Sequence, residues 1–155
     1  MKSFSINGIE YNSSNVYIIA EIGANHNQDL MRALEMIEQA AEAGADAVKF
    51  QSIKFEGIYK STSETQDFKE WFSAIELDES WYGALAQKAK ECKLHFLSSP
   101  TYMESIALLE AQYVPAYKIA SPQAQADLPL VKAVAKMGKP MIVSMGYGTY
   151  ADIDK

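Results

Sequence analysis

Five short apolar segments, each followed by a stretch of different period, constrain this chain more than any other feature. They are "VYIIAEIG" (16–23), "DAVKFQ" (46–51), "LHFLSS" (94–99), "AYKIAS" (116–121) and "PMIVSMG" (140–146). A continuous apolar run of this length fits a parallel strand covered on both faces. Between the first two runs, Leu30, Ala33, Leu34, Ile37 and Ala41 share one helical face, with Asn27 or Asp29 as N-cap candidates and Gly44 placed to end the helix. Trp81, Leu85 and Ala89 mark a second helix. The Thr101-x-x-Glu104 spacing of a capping box opens a third, which turns Ile106 and Leu109 inward. Asp127 caps a fourth, with Pro129 in its first turn, Leu130, Val131 and Val134 on its buried side and Gly138 at its end. This alternation implies parallel βαβ units, either in an open doubly wound sheet or in a (β/α)8 barrel. Residues 52–79 break the rhythm with a polar and aromatic segment longer than an ordinary βα loop.

The composition is that of a soluble globular chain: 48% hydrophobic and 22% charged residues over 155 positions, with no low-complexity run. A formal charge of -6 argues against a nucleic-acid or anionic-membrane partner. Cys92 is the sole cysteine, so neither a disulfide framework nor a cysteine-based zinc cluster is expected, and its apolar neighbours assign it to packing. The N-terminal residues 1–14 lack a signal-peptide pattern, and no window approaches roughly 18 uninterrupted apolar residues. A cytoplasmic protein is the expectation.

Each apolar run finishes in groups that a core does not choose: Glu21, then Lys49 and Gln51, then Ser98 and Ser99, then Lys118 and Ser121, then Ser144. In a parallel barrel the C-terminal ends of all strands lie at one rim, so the expectation is that these side chains converge on one site. The bland alternative, lysines pairing with Glu21 in a polar mouth, accounts for any one strand but less readily for five in succession. His26 by itself reads as a hydrogen-bonded loop residue, because the other histidine, His95, starts a strand at the opposite rim. Phe55, Tyr59, Phe68, Trp71 and Phe72 read as local packing of the long segment, with a lid over the site as the functional alternative. No GxGxxG or GxxxxGK[ST] loop follows the first strand, which counts against a nucleotide-binding sheet.

Taken together, "AEIGANHN", "AGADAVKFQ", "FLSSP", "VPAYKIAS" and "GKPMIVSMG" resemble the N-acetylneuraminate synthase family, the sialic acid synthases and their pseudaminic and legionaminic acid relatives. The resemblance runs from about residue 16 onward in the family's order. It implies a (β/α)8 TIM barrel, of which residues 1–155 supply the first five βα units, without the family's antifreeze-like C-terminal domain. It implies condensation of phosphoenolpyruvate with an N-acetylated hexose such as N-acetylmannosamine, giving a nine-carbon keto acid and phosphate. Lys49, Gln51, Ser99, Lys118, Ser121 and Ser144 fall at positions that bind phosphoenolpyruvate, and Glu21, which matches the family's carboxylate at the first strand, is the candidate for positioning the metal-bound or attacking water as a general base would. Asn25, His26 and Gln123 fall on the side of the acceptor sugar. Mn2+ or Mg2+ polarises the acceptor aldehyde in the family, but its histidine ligands lie on strands after residue 155, so no metal ligand is assigned here.

Departures from the family pattern are Gln28 where glycine is common, Ser98-Ser99-Pro100 for Ser-Thr-Pro, Ser144-Met145-Gly146-Tyr147 for Ser-Thr-Gly-Met, and Gln123 for glutamate. A closed barrel takes about 250 residues, with about 200 a practical lower limit. The chain therefore reads as the N-terminal part of such an enzyme, incomplete for catalysis alone, with a second copy or the remaining strands of the barrel as expected partner. The Thr149-x-x-Asp152 spacing at its end reads as the cap of a further helix. A non-catalytic ligand-binding or dimerising half-barrel is the alternative. Arg32 is the sole arginine and sits in the first helix, which favours an unphosphorylated acceptor.

Overall fold

In the computed structural model, which describes residues 3–59, 66–146 and 148–153, the apolar runs form parallel strands. β3 (Ile19–Gly23), β4 (Ala47–Ser52) and β5 (His95–Pro100) make one sheet in that order, and β6 (Tyr117–Ile119) pairs with β7 (Met141–Val143). β5 and β6 are neighbours in space, so the strands follow one another along an arc in chain order. The register sets Glu21 beside Lys49, Gln51 beside Ser99, and Lys118 beside Ile142. Ser121 does not lie in a strand as its apolar run suggests; it opens a short helix after β6.

The helices pack on the outer face of this arc. α1 (Leu30–Glu42) buries Ala33 and Ile37, and α4 (Tyr82–Glu91), preceded by a 3-10 turn at Glu79–Trp81, buries Tyr82, Leu85 and Ala89. α5 (Ser105–Ala111) contributes Leu109, and α7 (Leu128–Ala135), after the short α6 (Ser121–Ala126), contributes Leu130 and Val134. With Val48, Phe50, Phe96, Tyr117 and Ile119 from the strands they make the main core, and Cys92 packs half-buried at its margin. The first run is not covered on both faces as its apolarity suggests. Val16 and Ile18 precede β3 and stand 65% and 54% exposed, and among the described residues β3 has a hydrogen-bonded strand neighbour on one side only.

A feature not anticipated is the hairpin of β1 (Phe4–Ile6) and β2 (Ile9–Tyr11). Asn7 and Gly8 join them at φ 53° and 78°, the left-handed pair that a tight hairpin turn needs. Ile6 and Tyr11 pack with Ala47, Leu97 and Ala116 into a second core at the N-terminal ends of the strands. There Tyr17 Oη lies 2.9 Å from His95 Nδ1, which keeps His95 at the rim opposite the polar strand ends.

The caps follow local chemistry with one exception. Asp29 and Asp127 accept from the backbone N–H of Arg32 and Leu130 at 3.2 and 3.0 Å. Thr149 and Asp152 form their box and open α8 (Tyr150–Ile153). Thr101 caps nothing: its hydroxyl donates to Ser52 O at 2.7 Å, and α5 begins at Ser105. The long segment contains α2 (Phe55–Ile58) and α3 (Gln66–Ser73), in which Phe55 is buried against Tyr59 and Phe72 while Phe68 and Trp71 are exposed. Residues 60–65 of that segment, and Tyr147 among the family departures, lie outside the described residues. Gln28 sits at φ 58°, a left-handed position that suits glycine.

α4 ends in a Schellman turn, with Lys93 N–H on Lys90 O at 3.0 Å, Leu94 N–H on Ala89 O at 2.8 Å, and Lys93 at φ 60°. Lys93→Gly is therefore expected to stabilise the chain by roughly 0.5–1 kcal/mol, the relief of the left-handed penalty exceeding the added freedom of the unfolded chain. A higher denaturant midpoint is the expected reading; a lower one would mean that the lysine makes a contact outweighing its backbone penalty.

Candidate active site

Strand alternation decides which polar end groups meet. Successive side chains point to opposite faces, so Glu21, Lys49, Gln51, Ser99 and Lys118 share the concave face while Phe50, Ser52 and Ser98 turn to the helices. Lys49, only 6% exposed, donates to Glu21 Oε2 at 2.5 Å and to Ser99 Oγ at 3.2 Å. Lys118 donates to Ser144 Oγ at 2.5 Å and to Ile119 O at 3.0 Å. Each lysine thus engages two acceptors, and an ammonium keeps a further N–H beyond these.

The balance of charge favours an anion. Two lysines face one carboxylate across the mouth, and Lys118 lies near enough to Lys49 to feel it. Burial first, and then the Lys49 charge, push the Lys118 ammonium below its ordinary range, while Glu21 opposes them. A bound anion relieves this frustration, since it is attracted to both cations. The -6 charge of the whole chain is thus locally reversed at the strand ends.

Glycines keep this mouth open. Gly23 ends β3 at φ 58°, and a side-chain carbon there would lie 3.4 Å from Glu21 Oε1 and 3.8 Å from Gln51 Nε2. Gly146 N–H donates to Ser121 Oγ at 2.6 Å, which ties the start of α6 to the loop after β7. Neither glycine was singled out for the site from sequence, although Gly23, as the last residue of β3, carries the signal of a glycine at a strand end.

The expected residues do not all meet. Glu21, Lys49, Ser99, Lys118 and Ser144 form one cluster with Gln51 beside it, and Ser121 adjoins it through Gly146. Asn25 turns its side-chain amide back to Ile22 O at 3.0 Å, and Gln123 is half-buried in the first turn of α6. His26 does not reach the open rim. It is 0% exposed, its ring is edge-on to Trp81 and near Phe50 on the helix side, and its Nε2 has no hydrogen-bond partner among the described residues. Ser98 also leaves the shared site, since its hydroxyl lies 2.7 Å from Ser52 Oγ behind the sheet.

A metal ion finds no ready seat. No group of three or more His, Cys, Asp or Glu side chains among the described residues is placed to hold one, and Glu21 is already engaged by Lys49. The donors present therefore do not fit the divalent cation that the resemblance implies. No described helix is long and apolar enough to cross a membrane.

Comparison with known proteins bears on the family and the fold. Residues 36–155 match the model of the NeuB family. The chain is 36% identical over 149 residues to the N,N'-diacetyllegionaminic acid synthase of Campylobacter jejuni, an alignment covering 89% of this chain and 44% of that protein. It is similar in structure to the N-acetylneuraminic acid synthetase of Leptospira borgpetersenii, with a TM-score of 0.86, 28% identity, and coverage of 99% of this chain and 53% of that one. The spore coat polysaccharide biosynthesis protein SpsE of Bacillus subtilis superposes with a TM-score of 0.81 and 34% identity, over 99% of this chain and 42% of that one. The chain spans about two fifths of the length of the curated relatives it matches. Its five parallel βα units are thus part of a TIM barrel.

Proposed function

The chain belongs to the NeuB family, and from that premise we propose that it forms the phosphoenolpyruvate-binding part of a sialic-acid-type synthase. The reaction is condensation of phosphoenolpyruvate with an N-acetylated hexose, N-acetylmannosamine or a relative, to a nine-carbon keto acid. The observation that carries this reading is the paired lysine cluster, Lys49 with Ser99 and Lys118 with Ser144, open at the C-terminal ends of parallel strands. Phosphoenolpyruvate carries a phosphate and a carboxylate, and two separate ammonium groups with neighbouring hydroxyls match two anionic ends.

In this reading Lys49, Ser99 and Gln51 hold one end of the ligand and Lys118, Ser144 and Ser121 the other. The fixed ligand presents its C3 carbon to the acceptor aldehyde, a carbon–carbon bond forms, water adds at C2, and phosphate leaves with cleavage of the C–O bond. Glu21 has Oε2 held by Lys49, and its other oxygen, which lies beside Gly23, is the one assigned to accept a proton from the attacking water. The described residues offer no seat for the family's Mn2+ or Mg2+. We place Asn25 and Gln123 toward the acceptor, and assign His26 to the fold of the loop. Val16 and Ile18 beside β3, and Val143 in β7, are exposed at open ladder edges. They suit pairing with further barrel strands or with a second copy of the chain.

Thermal unfolding in the presence of anions tests the reading. Phosphoenolpyruvate should raise the midpoint most, inorganic phosphate less and pyruvate least, because only the first engages both lysines. Equal shifts from pyruvate and phosphoenolpyruvate would contradict the two-ended site. Gln123→Glu should leave the phosphoenolpyruvate shift unchanged while strengthening binding of N-acetylmannosamine; no change with any N-acetylated hexose would remove Gln123 from the acceptor side.

A further inference from the structure

Behind the strand ends that carry the lysine cluster, a buried polar chain runs from the helical layer into the sheet. Tyr82 Oη donates to Ser52 Oγ at 2.6 Å, and Ser52 Oγ lies 2.7 Å from Ser98 Oγ. Tyr82, Ser52 and Ser98 are each no more than 1% exposed. Thr101 adds a bond from its hydroxyl to Ser52 O at 2.7 Å, on the same end of β4. On the outer side, Tyr102 Oη donates to Glu79 Oε1 at 3.0 Å, and Lys54 Nζ donates to the same oxygen at 2.7 Å.

Buried hydroxyls cost stability unless they are bonded, and an all-apolar layer of similar shape would pack as well. Their return here is placement. Ser52 follows Gln51, and Ser98 precedes Ser99, in strands whose register pairs Gln51 with Ser99. Because side chains alternate, fixing Ser52 and Ser98 on the rear face fixes Gln51 and Ser99 on the front. Ser99 is in turn the hydroxyl to which Lys49 donates.

We propose that Tyr82 is a positioning residue, whose phenol, through Ser52 and Ser98, pins the C-terminal ends of β4 and β5 and so holds Gln51, Ser99 and Lys49 in place for the anion. Its identity as an anion site rests on the function proposed above; the pinning does not. Burial pushes the Tyr82 phenol up to about 12, so it remains a proton donor throughout the neutral range.

Residue-resolved amide exchange on the ligand-free chain is the test, comparing wild type with Tyr82→Phe and, as a second variant, Ser98→Ala. Exchange at Gln51, Ser52 and Ser99 should quicken about fivefold, the equivalent of one net hydrogen bond of ~1 kcal/mol, with β3 and β6 unchanged. Unchanged exchange at these amides, or a uniform rise through β3 to β6, would overturn the proposal by showing no role or only a global one. Titration of the same variants with phosphoenolpyruvate separates the two readings. A wild type that fails to bind removes the anion site, while the exchange pattern still decides the pinning; a wild type that binds should lose about fivefold in affinity on Tyr82→Phe.

Discussion

Lys49→Met is expected to weaken phosphoenolpyruvate binding by roughly 10- to 100-fold, the equivalent of a charge-assisted hydrogen bond of about 1.5–3 kcal/mol. Its effect should exceed that of Lys118→Met. Lys49 is the buried partner of Glu21 at 2.5 Å, so removing it withdraws a donor and also leaves an unpaired carboxylate facing the incoming anion. Lys118 engages only a hydroxyl and a carbonyl, so its loss withdraws the donor alone. Adding Glu21→Gln to Lys49→Met should therefore recover part of the affinity, whereas adding it to Lys118→Met should not. Equal losses for the two lysines, or no recovery in the double variant, would show that Glu21 does not face the ligand. Titration calorimetry on the four variants checks the order.

Acid should destabilise the fold through His26. Burial holds its imidazole below the ordinary value of 6.5, so the native chain binds fewer protons than the unfolded one. Stability is then complete above pH 6.5 and is lost as the pH falls from there through the lowered native value. The loss can reach about 1.4 kcal/mol per pH unit for one group. His95 is lowered too, by burial, with Asp46 opposing, and contributes with the same sign. His26→Phe, which keeps a ring beside Trp81 and Phe50, removes one of the two contributions. Denaturant unfolding between pH 7 and 5 should show a shallower decline in the variant than in wild type. Parallel declines would mean that the buried ring is already protonated or free to reach water.

How much of this was legible in the sequence depends on the range of the interaction involved. The five runs, the caps Asp29 and Asp127 and the buried stripe Leu85 and Ala89 are local patterns, and they hold. So does the convergence of Glu21, Lys49, Ser99 and Lys118, because parallel strands bring their ends to one rim. Alternation would also have separated Ser98 from Ser99, since adjacent residues cannot share a face. The Asn7-Gly8 hairpin was equally local, and was missed beside the longer runs. What no local pattern supplies is partnership at a distance. Thr101 has the spacing of a cap, yet its hydroxyl goes to Ser52 O across the β4–β5 end. His26 sits in a polar loop, yet that loop folds back against Trp81 from a segment more than fifty residues away in sequence. Val16 and Ile18 read as covered, yet both are exposed, and among the described residues β3 has a strand neighbour on one side only. Ends of apolar runs are similarly ambiguous, which is why Ser121 belongs to a helix and Ser144 to a loop while both still adjoin the site.

The most direct test of the central claim, that the strand ends of this chain form an anion site for phosphoenolpyruvate, is calorimetric titration of the 155-residue chain with phosphoenolpyruvate, with and without Mn2+. The account predicts single-site binding that does not depend on the metal and is abolished in the Lys49→Met, Lys118→Met double variant. Absence of binding, or binding that persists in the double variant, would contradict it.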